Sequence, residues 1–189
     1  MRAEEALQAC PSGEYVMAGL NMSQSVCKDV LPHESPELLR ALDRINLKVN
    51  REIRYERVNT WAVSRDSGDC KTYVAVKRED ILQQGLLNPN TLFAWVVKVT
   101  SGRFEGDTHA ILVVAMLKDD GTVDQVVLDS LSDKLKSPEE VLRDGYTPYY
   151  SAIFNNSSGS GSSEPTESGW NWNGIFQSSS TTERRRWWP

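Results

Sequence analysis

A cysteine that follows Gly-Asp and opens a run of helix-forming residues, Cys70 in SGDCKTYVAVKREDILQQG, is placed for nucleophilic chemistry. A thiol attacks as thiolate, and a helix N-terminus stabilises that anion through its unpaired backbone N–H groups and positive dipole end, drawing the pKa below the ordinary value of about 8.5. Such a nucleophile needs a base, and the chain holds two histidines. His33, in LPHESP, sits just ahead of a helix cap, an ordinary place for an exposed polar residue. His109 heads the apolar run HAILVVAML after the loop SGRFEGDT, where a ring is both rigidly held and open to solvent. A third group must orient the imidazole, and Asp129 in VVLDSL is the one acid of a segment otherwise suited to burial. Cys70, His109 and Asp129 together spell acyl transfer through a covalent intermediate. The plainer alternatives are a buried, inert cysteine and an aspartate that ends a strand and enters a turn with Ser130 and Ser132.

The elements that must position these residues are legible in outline. Ser35 before Pro36 and Glu37 is an N-cap with proline at the first helical position, and Leu38, Leu42, Ile45, Val49 and Ile53 then recur at helical spacing. A polar connection leads to an amphipathic helix that Cys70 opens and Gly85 stops. Three strand candidates follow, at 91–100, 109–117 and 125–131, rich in Val, Ile and Leu. Ala110 to Leu117 is apolar on both faces, which predicts a central strand covered on both sides. Helices followed by antiparallel strands give an α+β domain.

The hairpin over KDDGT makes a demand of its own. If its loop is Asp119, Asp120 and Gly121, with the glycine left-handed, Lys118 faces Thr122 and His109 faces Leu131. Asp129 is then a same-face diagonal neighbour of His109, about 7–8 Å away at the backbone. A two-residue Asp120-Gly121 turn would put the two on opposite faces.

With 189 residues, 39% hydrophobic and 25% charged, the chain suffices for one core. A net charge of −5 argues against a nucleic-acid partner. There is no run of eighteen apolar residues for a membrane span, and MRAEEALQAC lacks the pattern of a secretory signal. The three cysteines, Cys10, Cys27 and Cys70, form no CxxC pair; Cys10 and Cys27 can bridge in an oxidising compartment and stay thiols in a reducing one. No metal site is read from the residues alone. Residues 1–32 read as an irregular N-terminal arm, 33–154 as the domain, 155–169 (NNSSGSGSSEPTESG) as a flexible linker, and 170–189 as an aromatic and basic tail with WNWNGIF and ERRRWWP, a candidate docking peptide.

The order Cys, His, Asp in GDCKTYVAVK, THAILVV and VVLDSL, with the helix LLRALDRINLKVNREIRY, Trp61 upstream of the cysteine and GYTPYYS after the last strand, resembles the bacterial transglutaminase-like cysteine proteinases over about Leu38 to Tyr150. The resemblance implies a papain-like or transglutaminase-like core, a triad of Cys70, His109 and Asp129, a periplasmic location, and a protein substrate such as a surface adhesin. It also points to Trp61 and Asp69 as walls of the substrate pocket. In that family GDCED is common, and carboxylates beside the cysteine help to bind calcium in the adhesin-cutting members. Here Lys71 follows Cys70, and its ammonium repels a hard cation that requires several oxygen ligands, so no calcium site of that kind and no cofactor are expected.

The resulting expectation is a cysteine peptidase that acts on an extended protein segment. Transfer of the acyl group to an amine, a transglutaminase outcome, would use the same residues. A non-catalytic binding module on the same fold is the alternative from another class.

Overall fold

The computed structural model describes residues 15–17, 25–58 and 63–153. Within the N-terminal segment β1 (Tyr15–Met17) and β2 (Ser25–Cys27) pair antiparallel, Tyr15 opposite Cys27. Leu31 is buried. Helix α1 (Pro36–Glu52) begins as its sequence dictates: the Ser35 side chain accepts the Leu38 N–H at 3.1 Å, and Pro36 fills the first turn where no N–H is needed. Ala41, Leu42, Ile45 and Val49 form its buried stripe, and Ile53 caps its end.

Two short strands, β3 (Arg54–Tyr55) and β4 (Ser67–Gly68), pair in parallel and lead into α2 (Cys70–Gln83). The sequence suggests that this helix is amphipathic, but Thr72, Tyr73, Val74, Ala75, Val76 and Lys77 are all buried. The reason is position: α2 is packed against α1 on one side and the sheet on the other, so little of its circumference meets water.

The sheet consists of β5 (Leu92–Val99), β6 (Thr108–Leu117), β7 (Val123–Leu128) and, after the short helix α3 (Pro138–Arg143), β8 (Tyr146–Ile153), in the order β7-β6-β5-β8 with every neighbour antiparallel. β6 is central and covered on both faces. Ala110, Leu112, Val114 and Met116 join the core under α1 and α2, while Ile111, Val113 and Ala115 join a second core with Leu31, Trp95 and Val141. The architecture is therefore α+β, helices packed on an antiparallel sheet.

Two elements go beyond the sequence reading. GYTPYYSAIF supplies the edge strand β8, with Pro148 where the register against β5 shifts, a tolerated place for a residue that lacks an N–H. SPEEVLR is α3, closed by a full capping box between Ser137 and Glu140.

Candidate active site

The hairpin between β6 and β7 has the three-residue loop. Leu117 faces Val123, the Lys118 N–H donates to the Thr122 carbonyl at 2.8 Å, and Gly121 has φ +80°, a conformation that favours glycine. Ladder pairing ends at Leu112 opposite Leu128, so the first residues of β6 are bordered on that side by a turn instead of a strand. Asp129 starts that turn, and the expected strand over 125–131 thus stops short at Leu128. Its Oδ1 accepts the Leu131 N–H at 2.9 Å and its carbonyl accepts the Ser132 N–H at 3.4 Å, an aspartate-headed turn that competes with the ladder.

The same carboxylate meets His109: Nε2 lies 2.7 Å from Asp129 Oδ1. Asp129 is fully buried and His109 is 7% exposed. Asp129 thus does both things offered by the sequence, heading the turn and facing the imidazole. With Nε2 so engaged, Nδ1 is the ring nitrogen left for Cys70, which is near enough to act on the protonation of the ring. Burial alone would favour neutral imidazole. The hydrogen bonds and negative charges from Asp129 and Cys70 outweigh it and raise His109 from 6.5 to about 9. Burial likewise opposes the Asp129 carboxylate, but the His109 bond and charge, the Leu131 N–H and Lys136 hold it at about 2.

Cys70 opens α2, half-buried and free. Asp69 is the N-cap: its side chain accepts the Lys71 N–H at 3.0 Å and its other oxygen pairs with the Lys71 ammonium. Gly68 is required by a close approach, since a Cβ there would fall 2.2 Å from Thr72 Oγ1 in the first turn of α2. The Gly-Asp before the cysteine is in this way a device for starting the helix. Both Asp69 oxygens are thus engaged by Lys71. Among the described residues no cluster of three His, Cys, Asp or Glu side chains is arranged for a metal. Trp61 lies outside the described residues, as do Cys10 and the side chain of Cys27. His33 bridges to Leu117, at the opposite end of β6 from His109 and about 25 Å away along the strand.

Two further residues complete the surroundings of Asp129. Tyr146, at the start of β8, donates its hydroxyl to Oδ2 at 3.1 Å and its ring stands 5.7 Å from that of His109. Lys136 lies 3.6 Å from the same oxygen and 2.8 Å from Asp144. Burial and the Asp129 charge keep the Tyr146 hydroxyl protonated by raising its pKa. No local pattern marks either residue, because strand pairing across the sheet brings Tyr146 in and the bridge from Val127 brings Lys136. Tyr146→Phe should lower stability by about 1.5–3 kcal/mol in urea unfolding, the worth of a hydrogen bond to a charged group.

A family model described as bacterial transglutaminase-like cysteine proteinase matches residues 21–147, well over half of the chain. No curated protein matches. Among solved structures, one described as the crystal structure of pro-protein-glutaminase is similar at 12% identity and a TM-score of 0.40, over 78% of this chain and 54% of that one. By the family match, the chain belongs to the bacterial transglutaminase-like cysteine proteinases.

Proposed function

We propose that the protein is a cysteine peptidase that hydrolyses a peptide bond in an extended segment of a protein substrate, with Cys70 as nucleophile, His109 as acid and base, and Asp129 as the group that orients the ring. The observation that carries this reading is the His109–Asp129 hydrogen bond at the end of the central strand, with Cys70 at the start of α2 acting on the same ring. Cys70 Sγ bonds to the carbonyl carbon with the one proton of the Cys70–His109 pair held on the ring, and the C=O π pair moves onto the oxygen. The Cys70 backbone N–H, in a first turn that lacks intrahelical acceptors, faces the developing oxyanion. The C–N bond breaks as the imidazolium protonates the leaving nitrogen. Water then adds to the acyl-enzyme with His109 as base, releasing a carboxylic acid and restoring the thiol. A periplasmic setting and a surface adhesin as substrate complete the proposal, both resting on family membership. The reaction needs no calcium, because the Lys71 ammonium already occupies the Asp69 carboxylate.

The test is a mixed-sequence peptide library incubated with the wild type and with Cys70→Ser, with and without methylamine and with and without EDTA. New peptide termini that require Cys70 and persist in EDTA are the expected result. Methylamide products in place of hydrolysis would make the protein a transferase, and unchanged peptides with both proteins would make it a binding module.

A further inference from the structure

One fully buried charged side chain is unused by this mechanism. Lys77 stands on α2 seven residues, or two turns, beyond Cys70 and on the same face, and is 0% exposed. A lysine in a core is costly, and a methionine would fill the same space without that cost. Its Nζ donates to Asn46 Oδ1 at 2.7 Å, and Asn46 Nδ2 in turn donates to the Ser132 carbonyl at 2.8 Å. One turn along α1, Asn50 Nδ2 donates to the carbonyls of both Asp129 and Ser132 at 2.9 Å. These carbonyls belong to the turn whose first side chain faces His109.

An ammonium group has donors and no acceptor, whereas a carboxamide has both and can be reversed. With Lys77 present, the Asn46 oxygen must face α2 and its NH2 must face Ser132. Without it, a flipped amide would turn an oxygen toward the Ser132 carbonyl and loosen the turn, leaving Asn50 alone to hold it. We propose that Lys77 is a positioning residue that fixes the orientation of Asn46 and so holds the Asp129–Ser132 turn, and with it the Asp129 carboxylate, against His109. Lys77 thereby ties the helix that carries the nucleophile to the turn that carries the acid. The groups that face it are Asn46, the charges of Asp129 and Asp133, and the Tyr73 ring at 6.0 Å. Burial lowers its own pKa to about 7, against the pull of Asp129 and Asp133, so it is a group sensitive to its surroundings.

This inference rests on the reading that Asp129 orients His109, and the His109 ring reports on both. NMR titration of the ring in the full chain compares wild type, Lys77→Met, Lys77→Gln, Asn46→Asp and Asp129→Asn. The wild-type midpoint is expected near 9. Lys77→Met and Asn46→Asp should each lower it by about one pH unit or more, a tenfold loss of proton affinity. Lys77→Gln, which can donate to Asn46 but whose own amide can also be reversed, should restore part of it. Asn46→Asp keeps an ion pair with Lys77 and carries the test should Lys77→Met fail to fold. Lys77, with its own pKa near 7, is largely uncharged at the wild-type midpoint, so a role by charge alone or by packing alone would leave the midpoint in place or move it upward. Either result overturns the proposal. A midpoint unmoved in Asp129→Asn would instead defeat the reading on which it rests.

Discussion

Asp129→Ala is expected to destabilise the protein by about 3–5 kcal/mol and to reduce turnover by a factor on the order of 10³, the largest combined loss at any single position. The carboxylate is fully buried and satisfies His109 Nε2 and the Leu131 N–H with one oxygen, Tyr146 and Lys136 with the other. Truncation leaves His109 Nε2, the Leu131 N–H and the Tyr146 hydroxyl without this acceptor, while Lys136 keeps Asp144, and each orphaned buried group costs about 1–3 kcal/mol. Asp129→Asn separates shape from charge. It keeps the volume but cannot accept from all of these donors, and it no longer stabilises an imidazolium, so its activity should fall nearly as far while its stability falls less.

The pH dependence of this effect has a definite sign. His109 is raised from 6.5 to about 9, so its contribution to stability is complete below pH 6.5 and is lost as pH rises through about 9. Asp129 is lowered from 3.8 to about 2, so its contribution is present above pH 3.8 and is lost as pH falls through about 2. The stability gap between wild type and Asp129→Ala should therefore be widest between about pH 4 and 6.5 and narrow by roughly 3 kcal/mol toward pH 9, an upper figure for a shift of this size. Urea titrations at pH 5.5 and pH 9 read the difference directly.

Cys70→Ser and His109→Ala should each abolish turnover, by about 10⁴-fold or more, with the double variant no worse than either alone, since groups that act as one unit do not add. Cys70 is half-buried and serine is nearly isosteric, so the unfolding midpoint of Cys70→Ser should stay within about 0.5 kcal/mol of wild type. No other imidazole can substitute for His109, because His33 is held at the far end of β6 by the bridge to Leu117.

How much of this was legible in the sequence follows the range of the interactions. Local chemistry was readable: the Ser35 cap, the first turn at Cys70 and the glycine of the Asp119–Gly121 loop each act within a few residues. That loop also carried long-range information, since its odd length fixes the parity of β6 against β7 and so brings Asp129 to the side of His109. Tyr146 and Lys136 left no such trace. Pro148 made GYTPYYS a poor strand by its residues, yet as the edge of the sheet it is the element that delivers Tyr146. Lys77 did leave a signal, a charge within the otherwise apolar YVAVK on the face of α2 that begins at Cys70. Its meaning depended on Asn46 and Ser132, which come from two other parts of the chain.

The most direct test of the paired Cys70 and His109 is the rate at which iodoacetamide alkylates Cys70, followed by peptide mass mapping so that Cys10 and Cys27 are counted separately. The His109 imidazolium persists to about pH 9 and stands next to the sulfur that is to be alkylated. The expected result is rapid alkylation of Cys70 already at pH 6 in the wild type, slowed at least tenfold in His109→Ala, while the other two cysteines react equally in both proteins. Equal rates at Cys70 in the two proteins across pH 6 to 9 would contradict a catalytic pair.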